Sequence, residues 1–192
     1  LVDGAMVMGT VNEGDVQIGP GFTPDIQQFV NSETEGLQEF PSVAVLADGG
    51  HVAVWHGSGP GDSSGIFGQR YDAAGEKIGG EFAINTTTDG VQSDAGVAGL
   101  SGGGFVAVWQ DDSGADGDGS GVFARLFAAD GTPLGGEFQV TAPLGGFDDG
   151  DQLAPSVTAL TGGGFVVSWT DAAGQDGDGR GVFTQIFTAA GA

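Results

Sequence analysis

The pattern of apolar and polar residues recurs three times along the chain and predicts short β-strands. Each copy contains two apolar runs separated by a glycine-containing turn, and ends on a tryptophan, at Trp55, Trp109 or Trp169. Two such runs joined by a tight turn are typical of a β-hairpin. Self-similarity of this kind indicates a repeat architecture, in which neighbouring units bury a common core.

Two further strands are predicted in each unit. After the tryptophan and a polar loop, apolar and polar residues alternate in GIFGQRY, GVFARLF and GVFTQIF. This alternation predicts a third strand with one solvated face. In the first two copies a turn and a short run follow, EFAIN or EFQVT, and predict a fourth strand. Four antiparallel strands per unit are the pattern of a propeller blade.

The third copy breaks off before its fourth strand, and a matching segment lies ahead of the first copy. Residues 28–31, QFVN, align with FAIN at residues 82–85. An amino-terminal strand that completes the last unit closes a ring and protects strand edges from aggregation. We therefore predict an all-β fold of three four-stranded, blade-like repeats, closed in a ring or prism, with a fragment of a larger propeller as the alternative. The predicted organisation is an amino-terminal strand region, 1–27, followed by a single three-repeat domain, 28–192.

The composition is that of a folded and strongly acidic chain. Among 192 residues, 26 are acidic and 4 are basic, which gives a formal net charge of -22. This charge argues against nucleic acid and anionic membranes as partners and favours cations. Cysteine is absent from the sequence, so disulfides and thiolate metal sites are excluded. No apolar stretch approaches the roughly 20 residues that a membrane-spanning helix needs.

The loop after the tryptophan concentrates carboxylates and glycines in the second and third copies. Its sequence is WQDDSGADGDGSGVF in one and WTDAAGQDGDGRGVF in the other. Carboxylates this close repel one another unless a hard cation neutralises them, and the glycines let backbone carbonyls turn toward one centre. The loops therefore predict calcium sites, with a solvated acidic turn as the alternative. The predicted metal ligands are Asp111, Asp112, Asp116, Asp118, Asp171, Asp176 and Asp178.

A second acidic cluster lies between the fourth strand of one unit and the first strand of the next. In the third copy this connection is longer and reads GGFDDGDQ. An insertion that breaks the repeat is a favourable place for a ligand or a further ion, and an expendable solvated turn is the alternative. The predicted ligand-binding residues are Asp148, Asp149, Asp151 and Gln152.

Other candidate groups have simpler explanations. The three equivalent tryptophans are expected to pack in the core, with a carbohydrate platform as the alternative. His51 and His56 are expected to be surface polar groups rather than ligands of a transition metal. The sequence contains no nucleophile elbow, no HExxH and no phosphate-binding glycine loop. Carboxylates are abundant, yet none forms a distinct acid and base pair, so we predict that the chain is not an enzyme.

The motifs GGFVVSW, DGDGRGVFTQIF and GTPLGGEFQV resemble repeats of very large secreted bacterial proteins, especially calcium-dependent RTX adhesins. The size and acidity of the chain are similar to the peptide-binding domain of some of these adhesins. The resemblance implies an extracellular, cell-surface adhesion module with calcium as cofactor, in which a calcium ion holds the terminal carboxylate of a peptide.

The partners implied are a peptide or cell-surface protein, or a glycan, with no nucleic acid and no membrane insertion. The resemblance also implies a monomeric module of a longer chain. A purely structural, calcium-stabilised spacer and a carbohydrate-binding module are the alternatives.

Overall fold

The computed structural model describes residues 27–117, 119–141, 150–174 and 177–192. These ranges form eleven β-strands, and they contain no helix long and apolar enough to cross a membrane. The strands are β1 Gln38–Val45, β2 His51–Gly59, β3 Asp62–Tyr71, β4 Lys77–Ala83, β5 Gln92–Gly99, β6 Phe105–Asp111, β7 Gly121–Phe127, β8 Phe138–Gln139, β9 Gln152–Ala159, β10 Phe165–Asp171 and β11 Gly181–Phe187.

The strands form three antiparallel sheets, one for each copy of the repeat. Sheet 1 has the order β1-β2-β3-β4, sheet 2 the order β5-β6-β7-β8, and sheet 3 the order β9-β10-β11. The prediction of an all-β fold built from sequential hairpins is therefore confirmed. The first strands of the sheets are neighbours, since β5 lies between β1 and β9.

The hairpin turns follow from the glycines that join the apolar runs. In the first turn, Gly49 has a φ of 87°, a left-handed conformation that glycine adopts without steric cost. The Leu46 N–H donates to the carbonyl of Gly50 at 2.8 Å and closes this turn. A second glycine is needed for packing, because a Cβ at Gly99 in β5 would collide with the Val45 carbonyl of β1.

Each pair of neighbouring sheets encloses one hydrophobic cluster. Between sheets 1 and 2, Phe105 and Trp109 pack against aliphatic residues that include Val54 and Ile66. Between sheets 2 and 3, Phe165 and Trp169 occupy the equivalent positions. All three tryptophans are at most 4% exposed, as expected for core residues. Fully burying such a side chain contributes about 1.5–3 kcal/mol or more to folding, so these clusters hold the sheets together.

The predicted ring closure is not found in the described part of the chain. Residues 28–31 are not assigned to a strand, and sheet 3 has three strands. The neighbouring Ser32 N–H donates to the Glu81 carboxylate of sheet 1 at 2.8 Å, so this segment is attached beside sheet 1. The predicted strand region 1–27 lies outside the described residues except for Gln27.

Glu81 fixes this segment through an ionised carboxylate. Burial opposes ionisation, but the backbone N–H groups of Ser32 and Glu33 donate to the carboxylate and Lys77 lies nearby, so the pKa of Glu81 is lowered. An equivalent attachment fixes the segment between β4 and β5 to sheet 2, because the Thr86 N–H donates to Glu137 at 2.7 Å.

Replacing Trp109 by alanine is expected to lower the free energy of unfolding by about 3–5 kcal/mol, because the cavity cannot be filled by its rigid neighbours. Urea denaturation followed by circular dichroism measures the loss. Val182→Ala serves as the control, since Val182 is 82% exposed and its truncation is expected to change stability by less than about 0.5 kcal/mol. Equal losses for the two variants would contradict this account of the core.

Glu81→Gln is expected to lower the melting temperature at neutral pH and to have no effect in acid. Because the folded-state pKa is lowered, the stabilisation is present above the ordinary value of 4.5 and is lost as pH falls through the folded pKa. Melting curves of wild type and variant between neutral pH and pH 3 test this, with the exposed Glu76→Gln as control. A difference that persists unchanged at the acid end would contradict the assignment.

Candidate functional site

The first strands of the three sheets carry a β-bulge at equivalent positions. The pairing register shifts between Glu39 and Ser42 in β1, between Ser93 and Gly96 in β5, and between Leu153 and Ser156 in β9. A bulge inserts an extra residue, bends the strand and re-aims a side chain. The bulges therefore shape the face on which β1, β5 and β9 meet.

Each bulge holds a residue with a side chain in the left-handed conformation. Phe40, Asp94 and Ala154 have φ values of 53°, 51° and 50°. Such a conformation costs on the order of 1–3 kcal/mol for a residue other than glycine, and persists only when surrounding structure enforces it. Three equivalent occurrences make this strain a property of the repeat.

The three bulges line one pocket of about 430 Å³, which we call the axial pocket. Its lining consists of three equivalent stretches, residues 40–42, 94–97 and 154–157. Phe40 is 58% exposed and offers an aromatic surface. Asp94 is the one titratable side chain of the described lining, and the Ser93 hydroxyl donates to its carboxylate at 3.4 Å. Ser42 and Ser156 add hydroxyl groups.

Polar side chains on the second strands support the bulges. The side-chain oxygen of Gln110 in β6 accepts a hydrogen bond from the Ala154 N–H at 3.3 Å. In sheet 1 the equivalent residue is His56, whose Nδ1 lies 3.9 Å from a carboxylate oxygen of Glu39. His56 is buried and its Nε2 lies 3.0 Å from the Ser64 hydroxyl, so the expectation of a surface histidine is wrong here.

The predicted metal ligands of the second repeat lie at the end of β6 and in the loop that follows. Asp111 is buried and accepts a hydrogen bond from the Ser113 N–H at 2.8 Å. Asp112 is exposed and accepts one from the Val91 N–H. Asp116 is half-buried near Gly121, and Asp118 lies outside the described residues.

In the third repeat the equivalent carboxylate is Asp171, which is 1% exposed. One oxygen accepts a hydrogen bond from the Ala173 N–H at 2.9 Å, and the buried Oδ2 has no partner among the described residues. A buried carboxylate oxygen needs a donor or a cation. Asp178 is exposed, and Asp176 lies outside the described residues.

The predicted ligand residues of the insertion have a structural role where the chain is described. Asp151 accepts a hydrogen bond from the Ser120 N–H at 3.0 Å, and its carbonyl accepts one from the Ala172 N–H at 2.8 Å. Gln152 is buried, and its amide donates to the Gly150 carbonyl at 2.6 Å. The bond between Ser120 and Asp151 joins sheets 2 and 3, whereas the other two are local to sheet 3 and the segment before it. Asp148 and Asp149 lie outside the described residues.

The described residues contain no group of three or more histidine or acidic side chains placed to hold a metal ion. Calcium therefore stays a prediction, which depends on Asp111, Asp171 and the loops that follow them. The extracellular location and the monomeric state of the module likewise stay predictions.

Similarity to known proteins is found at the level of structure. No family model and no curated protein matches the sequence. The fold is similar to endo-arabinase from Bacteroides thetaiotaomicron, with a TM-score of 0.55 and 16% identity over 85% of this chain and 61% of that one.

Two further solved structures have lower scores. An α-L-arabinofuranosidase from Lactobacillus brevis has a TM-score of 0.45 and 15% identity over 89% of this chain and 56% of that one. The GH43 protein BlXynB of Bacillus licheniformis, a K247S mutant, also scores 0.45, with 16% identity over 84% and 31%. This chain therefore spans less than two thirds of the length of each structure.

These findings correct the functional predictions made from the sequence. The structure with the shared fold is an endo-arabinase, and nothing in the comparisons supports an RTX adhesin, a peptide-binding domain or a calcium-dependent adhesion module. The prediction that the chain is not an enzyme is corrected by the same finding. The likeness at 16% identity establishes the shared fold.

Sequence reasoning missed the axial pocket. Its one signal is a proline within two of the three first strands, at Pro41 and Pro155, because proline inside a strand marks a bulge or an edge. Phe40 and Ala154 directly precede these prolines, and Asp94 occupies the equivalent position in the second repeat. Their left-handed conformation has no signature in the residue types.

Removal of calcium is expected to lower the melting temperature if the buried Asp171 carboxylate and the loop after it hold the ion, because a ligand that binds only the folded state stabilises it. Scanning calorimetry with added calcium and with EGTA measures the shift. Asp171→Asn is expected to remove most of the response, while Glu76→Gln, at an exposed position, leaves it intact. Identical melts with calcium and chelator would exclude the ion.

Proposed function

We propose that this chain acts on carbohydrate and binds a glycan in the axial pocket. The observation that carries the proposal is Asp94, an exposed carboxylate held in a left-handed bulge, which lines the same pocket as the exposed residue Phe40. An aromatic face packs on the C–H surface of a sugar ring, while a carboxylate and hydroxyls accept and donate hydrogen bonds to its hydroxyl groups. The pocket combines these groups on all three first strands.

The three bulges have equivalent backbone conformations but carry different side chains. Residues 40, 94 and 154 have nearly the same φ, yet they are phenylalanine, aspartate and alanine. A purely structural bulge has no need of an exposed aromatic ring at one position and an exposed carboxylate at another. The difference between copies therefore favours a binding role for Phe40 and Asp94.

The fold supports a carbohydrate-directed role. The chain shares its fold with an enzyme whose name states action on arabinan. Consecutive four-stranded antiparallel sheets with their first strands around a common axis are the arrangement of propeller blades. We infer that the three sheets are consecutive blades and that the axial pocket is part of the central site.

Hydrolysis requires more than the described pocket contains. Glycosidases in general use two carboxyl groups, about 5–5.5 Å apart in retaining enzymes and about 6.5–9.5 Å apart in inverting ones. Asp94 is the single carboxylate in the described lining. We assign it the role of the carboxylate that faces the sugar, and hydrolysis needs a second carboxyl group from outside this lining.

Arabino-oligosaccharides are expected to bind the wild-type chain, and Asp94→Asn and Phe40→Ala are each expected to weaken binding at least about tenfold, which corresponds to 1.4 kcal/mol. Isothermal titration calorimetry measures the affinity, with xylo-oligosaccharides as a second glycan series. Asp130→Asn is the matched control, because Asp130 is exposed on a turn outside the pocket lining.

Absence of binding to both glycan series by the folded wild type would overturn the proposal. Equal loss of affinity in the Asp130 control would place the glycan elsewhere. A reducing-sugar assay on the same samples reports hydrolysis separately from binding, and activity retained by Asp94→Asn would remove Asp94 from the chemistry.

A further inference from the structure

Sheet 3 presents an apolar face to solvent. The pairing register places Val166 opposite Ile186 and Thr170 opposite Val182, so the side chains of these residues share one face of β10 and β11. Val182 is 82% exposed and Ile186 is 71% exposed. We call this surface the Val182 face; it consists of Val166, Ser168, Thr170, Val182, Thr184 and Ile186.

The equivalent face is covered in both other sheets. In sheet 2 it contains Val122 and Leu126, which are buried under Phe165 and Trp169 of sheet 3. In sheet 1 it contains Ile66, which is buried under the aromatic face of sheet 2. In both cases, therefore, the aromatic face of the following sheet covers this face.

The outer edge of β11 is open in the same way. In sheet 1 the Ile84 N–H donates to the Ile66 carbonyl, and in sheet 2 the Val140 N–H donates to the Val122 carbonyl, both at 2.8 Å. Val182 is the equivalent acceptor in sheet 3, where the described residues include no fourth strand. An open strand edge next to an open apolar face is a place where another segment pairs and packs.

We infer that the Val182 face is the docking surface for a further repeat of the same kind. The partner is a β-sheet whose second strand presents the aromatic pattern of Phe105 and Trp109. This inference goes beyond the proposed function and does not depend on it. A propeller closes with about 4–8 blades, so the three sheets of the described residues leave positions to fill. The chain also spans 61% of the endo-arabinase that it resembles in fold.

A second copy of this chain fits the face less well. The aromatic face at the other end of the arc contains Trp55, Phe67 and Tyr71, and all three are buried within the single chain. A second copy therefore offers no open aromatic face to the Val182 face. Two copies, each with a formal charge of -22, also repel one another.

The test extends the full chain by one repeat. Residues 133–141 are joined after Ala192 to supply the fourth strand of sheet 3, and residues 86–141 follow as a fourth sheet. The expected result is a single cooperative melt at a higher temperature than the parent chain. Amide exchange of residues 181–187 is expected to slow at least about tenfold, since docking protects the β11 edge.

Val182→Glu and Ile186→Glu test the face itself. Both side chains are exposed in the parent chain, so the substitutions are expected to leave its melting temperature unchanged. In the extended chain they are expected to lower the melting temperature and restore fast exchange, because a charge is then buried. Ala189→Glu, at an exposed position on the turn after β11, is the matched control in both chains.

Two results would overturn the inference. The first is an extended chain that melts in two separate transitions with exchange of residues 181–187 unchanged. The second is a parent chain that sediments as a dimer and exchanges slowly in β11, where Val182→Glu restores monomers and fast exchange. That result would assign the Val182 face to a second copy of the chain. Neither result depends on glycan binding, so the test is separate from that of the axial pocket.

Discussion

The packing of one sheet's aromatic face on the aliphatic face of the sheet before it is the interaction on which this structure depends. The backbone ladders end at the edges of each sheet, so apolar side chains carry most of the attraction between sheets. Polar links reinforce it at the margins. The Arg125 guanidinium, for example, donates to the Ile84 carbonyl at 2.9 Å across the boundary between sheets 2 and 1.

This packing also fixes the axial pocket. The distance between first strands is set by the sheets behind them, and at Gly99 the approach of β5 to β1 leaves no room for a Cβ. The bulges sit on these strands, and their left-handed residues are tolerated because the flanking ladders hold them in place. The shape of the pocket is therefore a consequence of how the sheets pack. The side chains at residues 40, 94 and 154 differ between the copies without a change in that backbone.

The sequence is informative about those parts of the fold that rest on local patterns. The alternation in GVFARLF and the glycine turns predict strands and hairpins, and the recurrence of tryptophan predicts the core, because both signals depend on near neighbours. The conformation of Asp94 depends on the register between β5 and β6, which no residue type specifies. The sequence also predicted a ring closure that the described residues do not show, since closure depends on contacts between segments far apart in the sequence.

The functional prediction failed for a related reason. The motifs GGFVVSW and GTPLGGEFQV encode a hairpin turn, a core tryptophan and a fourth strand, and any chain with this sheet packing needs those features. They report the architecture of the repeat, so a resemblance based on them carries little information about ligand. The prediction of a cation in the acidic loops rests on their charge density alone. A carboxylate in an acidic segment also has structural uses, since Asp151 accepts a hydrogen bond that joins sheets 2 and 3.

The open Val182 face and the single carboxylate of the axial pocket have a common physical origin. A further sheet docked on the Val182 face places its first strand beside β9, just as β9 lies beside β5. That strand adds another wall to the pocket and another residue at the bulge position. Because the bulge residue differs in all three copies, a new copy is free to supply the carboxyl group that hydrolysis requires besides Asp94. If both proposals hold, glycan binding needs only the three described sheets, whereas hydrolysis needs the further sheet as well.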